Sequence, residues 1–282
     1  MPELPEVEVS RQGLLPYLPG KRVVGAELRT PRLRHDIPRE LPALLAGRTL
    51  LSIDRRAKYL VFAFSAGAET ACATLPPAGW LILHLGMSGS LRLAPPGTPP
   101  QRHDHFDLIF ADVVLRLRDP RRFGTLAWTE DAPDGHPLLV TQGIEPLNAE
   151  FSGAWLHAAS RGRSIPIKQF LMDSHIVVGI GNIYASEILF RAGISPRLAA
   201  GRLSRPRCDA LAAAVREILS AAISAGGSSV RDYVHSDGGA GCFQLQCAVY
   251  GRSGEPCAVC GRPVRSIRQG GRSTFYCPHC QR

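Results

Sequence analysis

Lysine is nearly missing from this chain. Lys21, Lys58 and Lys168 stand against thirty arginines in 282 residues. Aromatic residues are sparse too, and methionine and tryptophan occur three times each. No apolar run approaches the ~20 residues needed to cross a bilayer, which excludes a transmembrane helix. The opening MPELPEVEVS carries acids and no apolar core segment, which excludes a secretory signal. Internal repeats and low-complexity tracts are absent. At 45% hydrophobic and 20% charged residues the chain can bury ordinary cores, so a disordered or fibrous protein is excluded. The expectation is a soluble, cytoplasmic protein, without a membrane partner, whose length suits two domains.

Positive charge is abundant, and it comes in one chemical form. The formal net charge is +9, carried almost wholly by guanidinium. Guanidinium grips phosphate through two parallel hydrogen bonds, which points to nucleic acid. A GC-rich genome also writes arginine wherever a positive charge will do, so composition alone leaves both explanations open. Where arginine is the default, a retained lysine suggests a need for an amine.

Eight cysteines are present. Four are scattered, while Cys257, Cys260, Cys277 and Cys280 form C-x2-C-x16-C-x2-C. Each CxxC pair places two thiolates on one tight knuckle, and two knuckles complete a tetrahedral zinc shell. A disulfide framework would suit a secreted chain, and a redox CxxC would come singly near a βαβ pattern. Zinc is favoured: one structural ion, with four protein ligands and no open position.

Residues 2–132 read mainly as strands after one opening helix. Strand-like runs fall at Leu50–Ile53, Tyr59–Phe64, Trp80–Leu85, Phe106–Phe110 and Val113–Leu117. The stretches Ser65–Ala78 and Ala94–Pro100 read as loops. Many strands with few helices point to a β-sandwich or barrel. The DAPDGHP stretch at Asp131–Pro137 marks a linker, placed at 133–152. Helices dominate residues 153–237. Pro166 leads into Lys168–Met172, Ala185, Ile188, Leu189 and Ala192 share one face before Gly193, and Ser204 caps a helix faced by Leu211, Val215, Ile218 and Ala222. The glycines at 226–227 and 238–241 bracket a mobile segment before a zinc module at 248–282.

The first residues carry the chemistry. Proline after Met1 permits removal of the initiator methionine, leaving Pro2 as a terminal secondary amine. Such an amine titrates near 8, so a useful fraction is unprotonated at neutral pH. It can attack a sugar carbon and hold it as an iminium ion, as lysine does in Schiff-base enzymes. Glu3 beside it is suited to shuttling protons, and Glu6 to holding a substrate hydroxyl.

A series of motifs in one order extends this. MPELPEVE is followed by RRAKYL at Arg55–Leu60, HLGMSGSL at His84–Leu91, HDHFDL at His103–Leu108 and DPRRFG at Asp119–Gly124. GIGNIYASE at Gly179–Glu187, VYGRSGEPC at Val249–Cys257 and GRSTFYC before the second CxxC complete it. Over nearly its whole length the chain resembles bacterial formamidopyrimidine-DNA glycosylases, base-excision enzymes for 8-oxoguanine and ring-opened purines. The resemblance implies an α+β fold of several domains: an N-terminal two-layer β-sandwich with flanking helices, a helix-two-turn-helix domain and a C-terminal zinc-bound β-hairpin. It implies Pro2 as nucleophile at C1′, Glu3 as acid/base partner, Lys58 as proton donor in β-elimination and Arg272 as donor in δ-elimination. Arginine hardly gives up a proton, so residue chemistry favours a phosphate clamp at Arg272.

Further roles follow by matching motif. A glycosylase turns its target nucleotide out of the stack, and Met87, Arg121 and Phe123 match the trio that fills the hole. His103, Arg163, Lys168 and Asn182 match positions that hold phosphates near the lesion. The implied partner is double-stranded DNA with oxidised purines or abasic sites, met by a monomer associated with the nucleoid. Two departures stand out. The segment GGAGCFQLQCAVYGR after Asp237 has Cys242 and Leu245 where the family usually carries other residues, which leaves fine base preference open. Ser65–Ala78 reads as an insertion relative to shorter members. Two other readings compete: an endonuclease VIII-type enzyme for oxidised pyrimidines, and a DNA-binding module without catalysis. Leu4 and Met87 argue against the first, and intact Pro2, Glu3 and Lys58 against the second.

Overall fold

The computed structural model describes residues 2–67, 76–227 and 247–282. The chain divides into two compact units. The first holds Pro2, Glu6–Val140 and, among the described residues, 226–227; the second holds Glu3–Pro5, Thr141–Ala225 and 247–282.

Helix α1 (Leu4–Leu14), which belongs to the first unit from Glu6 onward, opens with proline in its first turn, where the fixed φ suits a helix and no N–H is lost. Strands β1 (Val23–Leu28), β2 (Leu50–Arg56), β3 (Tyr59–Phe64), β4 (Gly79–His84), β5 (Ser90–Ala94), β6 (Asp104–Phe110), β7 (Val114–Arg118) and β8 (Thr125–Thr129) follow, with the short helix α2 (Leu41–Leu45) after β1. They form two antiparallel sheets, ordered β1-β6-β7-β5 and β2-β3-β4-β8. One core lies between them. Leu60, Phe62, Phe64, Leu81 and Leu83 from one sheet meet Leu91, Phe106, Leu108, Leu115 and Leu117 from the other, sealed by Val7 and Leu14 of α1. This is the expected two-layer sandwich. β3 is buried on both faces, since Val61 packs on its far side with Ile82 and Leu139. The apolar patterning did not disclose β1, β5, β8 or α2.

The second unit contains α3 (Gly153–Ser160), α4 (Ile167–Met172), α5 (Asn182–Arg191) and α6 (Arg205–Ser224), then the hairpin of β9 (Arg265–Gln269) and β10 (Arg272–Tyr276). Ser152 Oγ caps α3 by accepting from Trp155 N at 3.2 Å. Ser204 stands at the N-cap of α6, but its hydroxyl makes no capping hydrogen bond there. Leu211, Val215 and Ala222 face the core as expected, and Leu219 replaces the half-exposed Ile218 at its centre. Gly193, at φ 67°, ends the α5 turn. Among the described residues no helix is long and apolar enough to cross a membrane.

Candidate active site and metal centre

Within the first unit, Pro2 is buried directly ahead of α1. Glu6, in the first turn of α1, is fully buried, and a Cβ added at Gly227 would lie 3.2 Å from its Oε1. Lys58 occupies the two-residue turn between β2 and β3, immediately after Ala57. Opposite this turn the register pairs Tyr59 with His84, their rings 4.7 Å apart. Burial, with the nearby charges of Lys58 and Arg34, pushes the His84 imidazole down to about 4. It is therefore neutral at physiological pH, and its Nδ1 accepts from Gly86 N at 2.9 Å. That bond fixes the proton on Nε2.

Met87 sits at the tip of the turn after β4, and Arg121 and Phe123 on the turn after β7; all three are exposed. Asp119 joins these two loops. Its carboxylate is fully buried and accepts from Ser88 Oγ at 2.7 Å, from Gly124 N at 2.8 Å and from Arg121 N at 3.3 Å. Gly86 (φ 66°) lets the loops touch, because a Cβ there would meet the Phe123 carbonyl carbon at 2.3 Å. The Arg121 guanidinium stands 5.6 Å from the centre of the Phe123 ring, a cation–π distance. His103 takes a φ of 76°, and its carbonyl accepts from Asp119 N at 3.0 Å.

Within the second unit, Glu3 is held at the N-terminus of α5. Its carboxylate accepts from Gly181 N at 2.7 Å, Ile183 N at 3.1 Å and Tyr184 N at 3.4 Å. These are the amides a helix leaves unpaired, at the positive end of its dipole. The glycines of GIGN make room for this. A Cβ on Gly181 would meet Glu3 Cδ at 2.3 Å, and one on Gly179 would meet Leu4 Cβ at 2.6 Å.

Asn182, the first residue of α5, gathers a polar cluster. Lys168 Nζ donates to Asn182 Oδ1 at 2.6 Å, Thr274 Oγ1 at 2.8 Å and the Ser273 carbonyl at 3.2 Å. Asn182 Nδ2 donates to the same carbonyl at 3.0 Å. Lys168 is only 1% exposed, and burial lowers it to about 8, against the attraction of Glu3 and with the repulsion of Arg272. All three of its protons are directed at protein acceptors, whereas Arg272 and Arg163 are exposed. Farther along α5, buried Glu187 accepts from the backbone amides of Ala248, Val249 and Tyr250 at 2.8–3.0 Å. Sequence reasoning gave no role to Asp119, Glu187 or His84. A signal was available for the first two, each an acid embedded in an otherwise structural motif.

The four cysteines converge. Their sulfur atoms all lie within 4.8 Å of one another, with Cys260–Cys277 at 3.5 Å and Cys257–Cys280 at 3.9 Å. Four thiolates at ~2.3 Å from a tetrahedral zinc stand about 3.8 Å apart, so the set fits the ion. Each knuckle is closed by backbone hydrogen bonds, Gly261 N to Cys257 O at 2.8 Å and Gln281 N to Cys277 O at 3.1 Å. Arg282 N and Gln281 Nε2 then tie the second knuckle to the carbonyls of Gly193 and Ile194. All four positions are filled by protein, which makes the centre structural. Segment 228–246, with Cys242 and Leu245, lies outside the described residues, as do residues 68–75.

Comparison with known proteins agrees along the chain. The family model of the formamidopyrimidine-DNA glycosylase N-terminal domain matches residues 1–126. The corresponding H2TH domain matches 142–234, and the zinc finger found in FPG and IleRS matches 254–282. A formamidopyrimidine-DNA glycosylase of Dechloromonas aromatica is 57% identical over all of both chains. The crystal structure of the MutM (Fpg) protein from Thermus thermophilus superposes with a TM-score of 0.85 at 38% identity, covering 99% of this chain and 98% of that one. The Lactococcus lactis Fpg in complex with an abasic-site DNA gives 0.88 at 34%, covering 99% of each. With the sandwich, the helical domain and the four-cysteine hairpin matched in order, this chain belongs to the formamidopyrimidine-DNA glycosylase family.

Proposed function

We propose that this chain is a bifunctional base-excision enzyme, removing oxidised purines such as 8-oxoguanine and formamidopyrimidines from double-stranded DNA and then cutting the strand. The observation that carries this reading is the start of the chain: a buried Pro2 is followed by a carboxylate that three helix-terminal amides hold in place. With Met1 removed, the Pro2 nitrogen attacks C1′. The N–C1′ bond forms as the glycosidic C1′–N bond breaks, and the departing base takes a proton. That proton is the one the attacking amine loses, and opening of C1′–O4′ then gives the iminium, with Glu3 passing to O4′ the proton it first took from the Pro2 ammonium. Loss of a C2′ proton then expels the 3′ phosphate, and loss of a C4′ proton expels the 5′ phosphate. Lys58 serves as proton donor in the first elimination, and Glu6 holds a substrate hydroxyl.

The other residues bind. Met87, Arg121 and Phe123 fill the gap left by the everted nucleotide. His103, Arg163, Asn182 and Arg272 meet phosphates, with Lys168 supporting Asn182 from behind. The zinc bound by Cys257, Cys260, Cys277 and Cys280 supplies a cross-link that stabilises the hairpin carrying Arg272. The enzyme works as a monomer on the nucleoid in the cytoplasm.

The test is borohydride trapping on a duplex with one 8-oxoguanine opposite cytosine. A stable protein–DNA adduct is expected, and Pro2→Gly should trap far less. Blocking the terminus with an uncleaved tag should abolish cutting. Tagged protein that cuts at the native rate would remove the amine from the mechanism.

A further inference from the structure

Within the first unit, the turn that presents Lys58 is gripped by a side chain that the mechanism leaves unused. Arg56 pairs with Tyr59, so Ala57 and Lys58 alone form the connection from β2 to β3. Ala57 takes a φ of 57° and is buried. Two-residue hairpin turns normally place glycine or asparagine where φ is positive, since a Cβ crowds the backbone there. Alanine holds that conformation only when something restrains it. Arg55 supplies such a restraint. Its Nη1 donates to the Ala57 carbonyl at 3.1 Å, while its Nε donates to Glu8 Oε2 at 3.0 Å.

Glu8 is on α1 and nearly buried, and it is itself fixed. Arg11 and Gln12 donate to it at 2.8 and 3.0 Å, and Arg11 also donates to the Ile53 carbonyl at 3.2 Å. Helix α1 thus grips β2 at Ile53 and the turn at Ala57. The same helix starts two residues after Pro2.

We infer that Arg55, anchored by Glu8, is a positioning residue for Lys58: it locks the Ala57 turn and keeps it in register with the helix that follows Pro2. The inference rests on the reading of Pro2 as nucleophile and Lys58 as proton donor. Arg55 acts through the backbone of the turn. A misplacement of ~1 Å is enough to cost a proton transfer about a hundredfold in rate.

The experiment measures single-turnover cutting of a duplex with a preformed abasic site, together with borohydride trapping, duplex affinity and thermal midpoint. Arg55→Met should slow cutting by about tenfold to a hundredfold while trapping and affinity stay near wild type. Arg55→Lys keeps the charge beside Glu8 but lacks the fork that reaches Ala57, and should slow cutting similarly even if the methionine variant folds poorly. The decisive readout is rescue. Ala57→Gly added to either variant should restore cutting, because glycine holds a positive φ without restraint. Arg55→Met added to Lys58→Ala should cause no further loss. Unchanged cutting in both Arg55 variants, no rescue by Ala57→Gly, or a further loss on top of Lys58→Ala would overturn the positioning role. Lys58→Ala cutting at the wild-type rate would instead show that the underlying reading of Lys58 is wrong.

Discussion

Arg121 is an exposed side chain on a fixed backbone: its amide is tied to Ser88 Oγ and Asp119, and its guanidinium stands over Phe123. Such a group can bond the O2 and N3 acceptors that cytosine exposes once its partner has left, and adenine offers no matching carbonyl. Losing that contact costs about 1–3 kcal/mol of discrimination. Arg121→Ala should therefore flatten the preference for 8-oxoguanine opposite cytosine over adenine, with cutting of a single-stranded abasic site less affected. Competition between the two duplexes measures it, and an unchanged ratio would take Arg121 out of this role. At this scale the sequence was generous with identities and poor in contacts. Glu3 and Asn182 were legible because they sit in rare motifs, but nothing in the order of residues joins Glu3 to Gly181, 178 positions away. Lys168 makes the same point. Its motif reads as a phosphate contact, and only the fold brings to it the acceptors of α5 and β10 that its ammonium meets here.

The elements most readily legible were those buried on a whole face. β3 and β4 carry continuous apolar runs, whereas β1, β5 and β8 are all sheet edges of five or six residues with weaker patterns. The zinc hairpin was legible for a different reason, since thiolate spacing is a covalent constraint that needs no burial to be seen. Cys257→Ser should lose the single zinc equivalent, expose residues 254–282 to protease and weaken duplex binding. Imine formation at an abasic site supplied at high concentration should largely persist, and a cutting rate that tracks the identity of a substituted metal would contradict a structural role. The β3–β4 pair carries a second test. His84 is held near 4 in the folded protein, against 6.5 when unfolded. The unfolded chain takes up that proton first, so acidification from pH 6.5 toward 4 removes stability, by up to about 3 kcal/mol. Urea midpoints at pH 7 and 4.5 should fall further for wild type than for His84→Gln; equal falls would mean that the imidazole is not buried uncharged.

Over the whole molecule, the charge of +9 should make duplex affinity fall steeply with salt, as neutralised phosphates release their counterions. Each phosphate contact contributes a slope of about 0.9 in log affinity against log salt. Arg163→Ala, which removes an exposed guanidinium, should reduce the slope by about that amount. Lys168→Met should leave it nearly unchanged, because that ammonium has no donor to spare; a full unit lost there would return Lys168 to the phosphates. The Glu3 cap has one more consequence, which concerns synthesis. Gly181, Ile183 and Tyr184, whose amides receive Glu3, are made long after it. At 5–20 residues per second the ribosome needs roughly ten to forty seconds to reach them. Throughout that interval the helix end that will bury Glu3 does not exist, so the Glu3 carboxylate stays in water while most of the chain is made. The cap on Glu3 is thus a late event, made only once α5 has been synthesised.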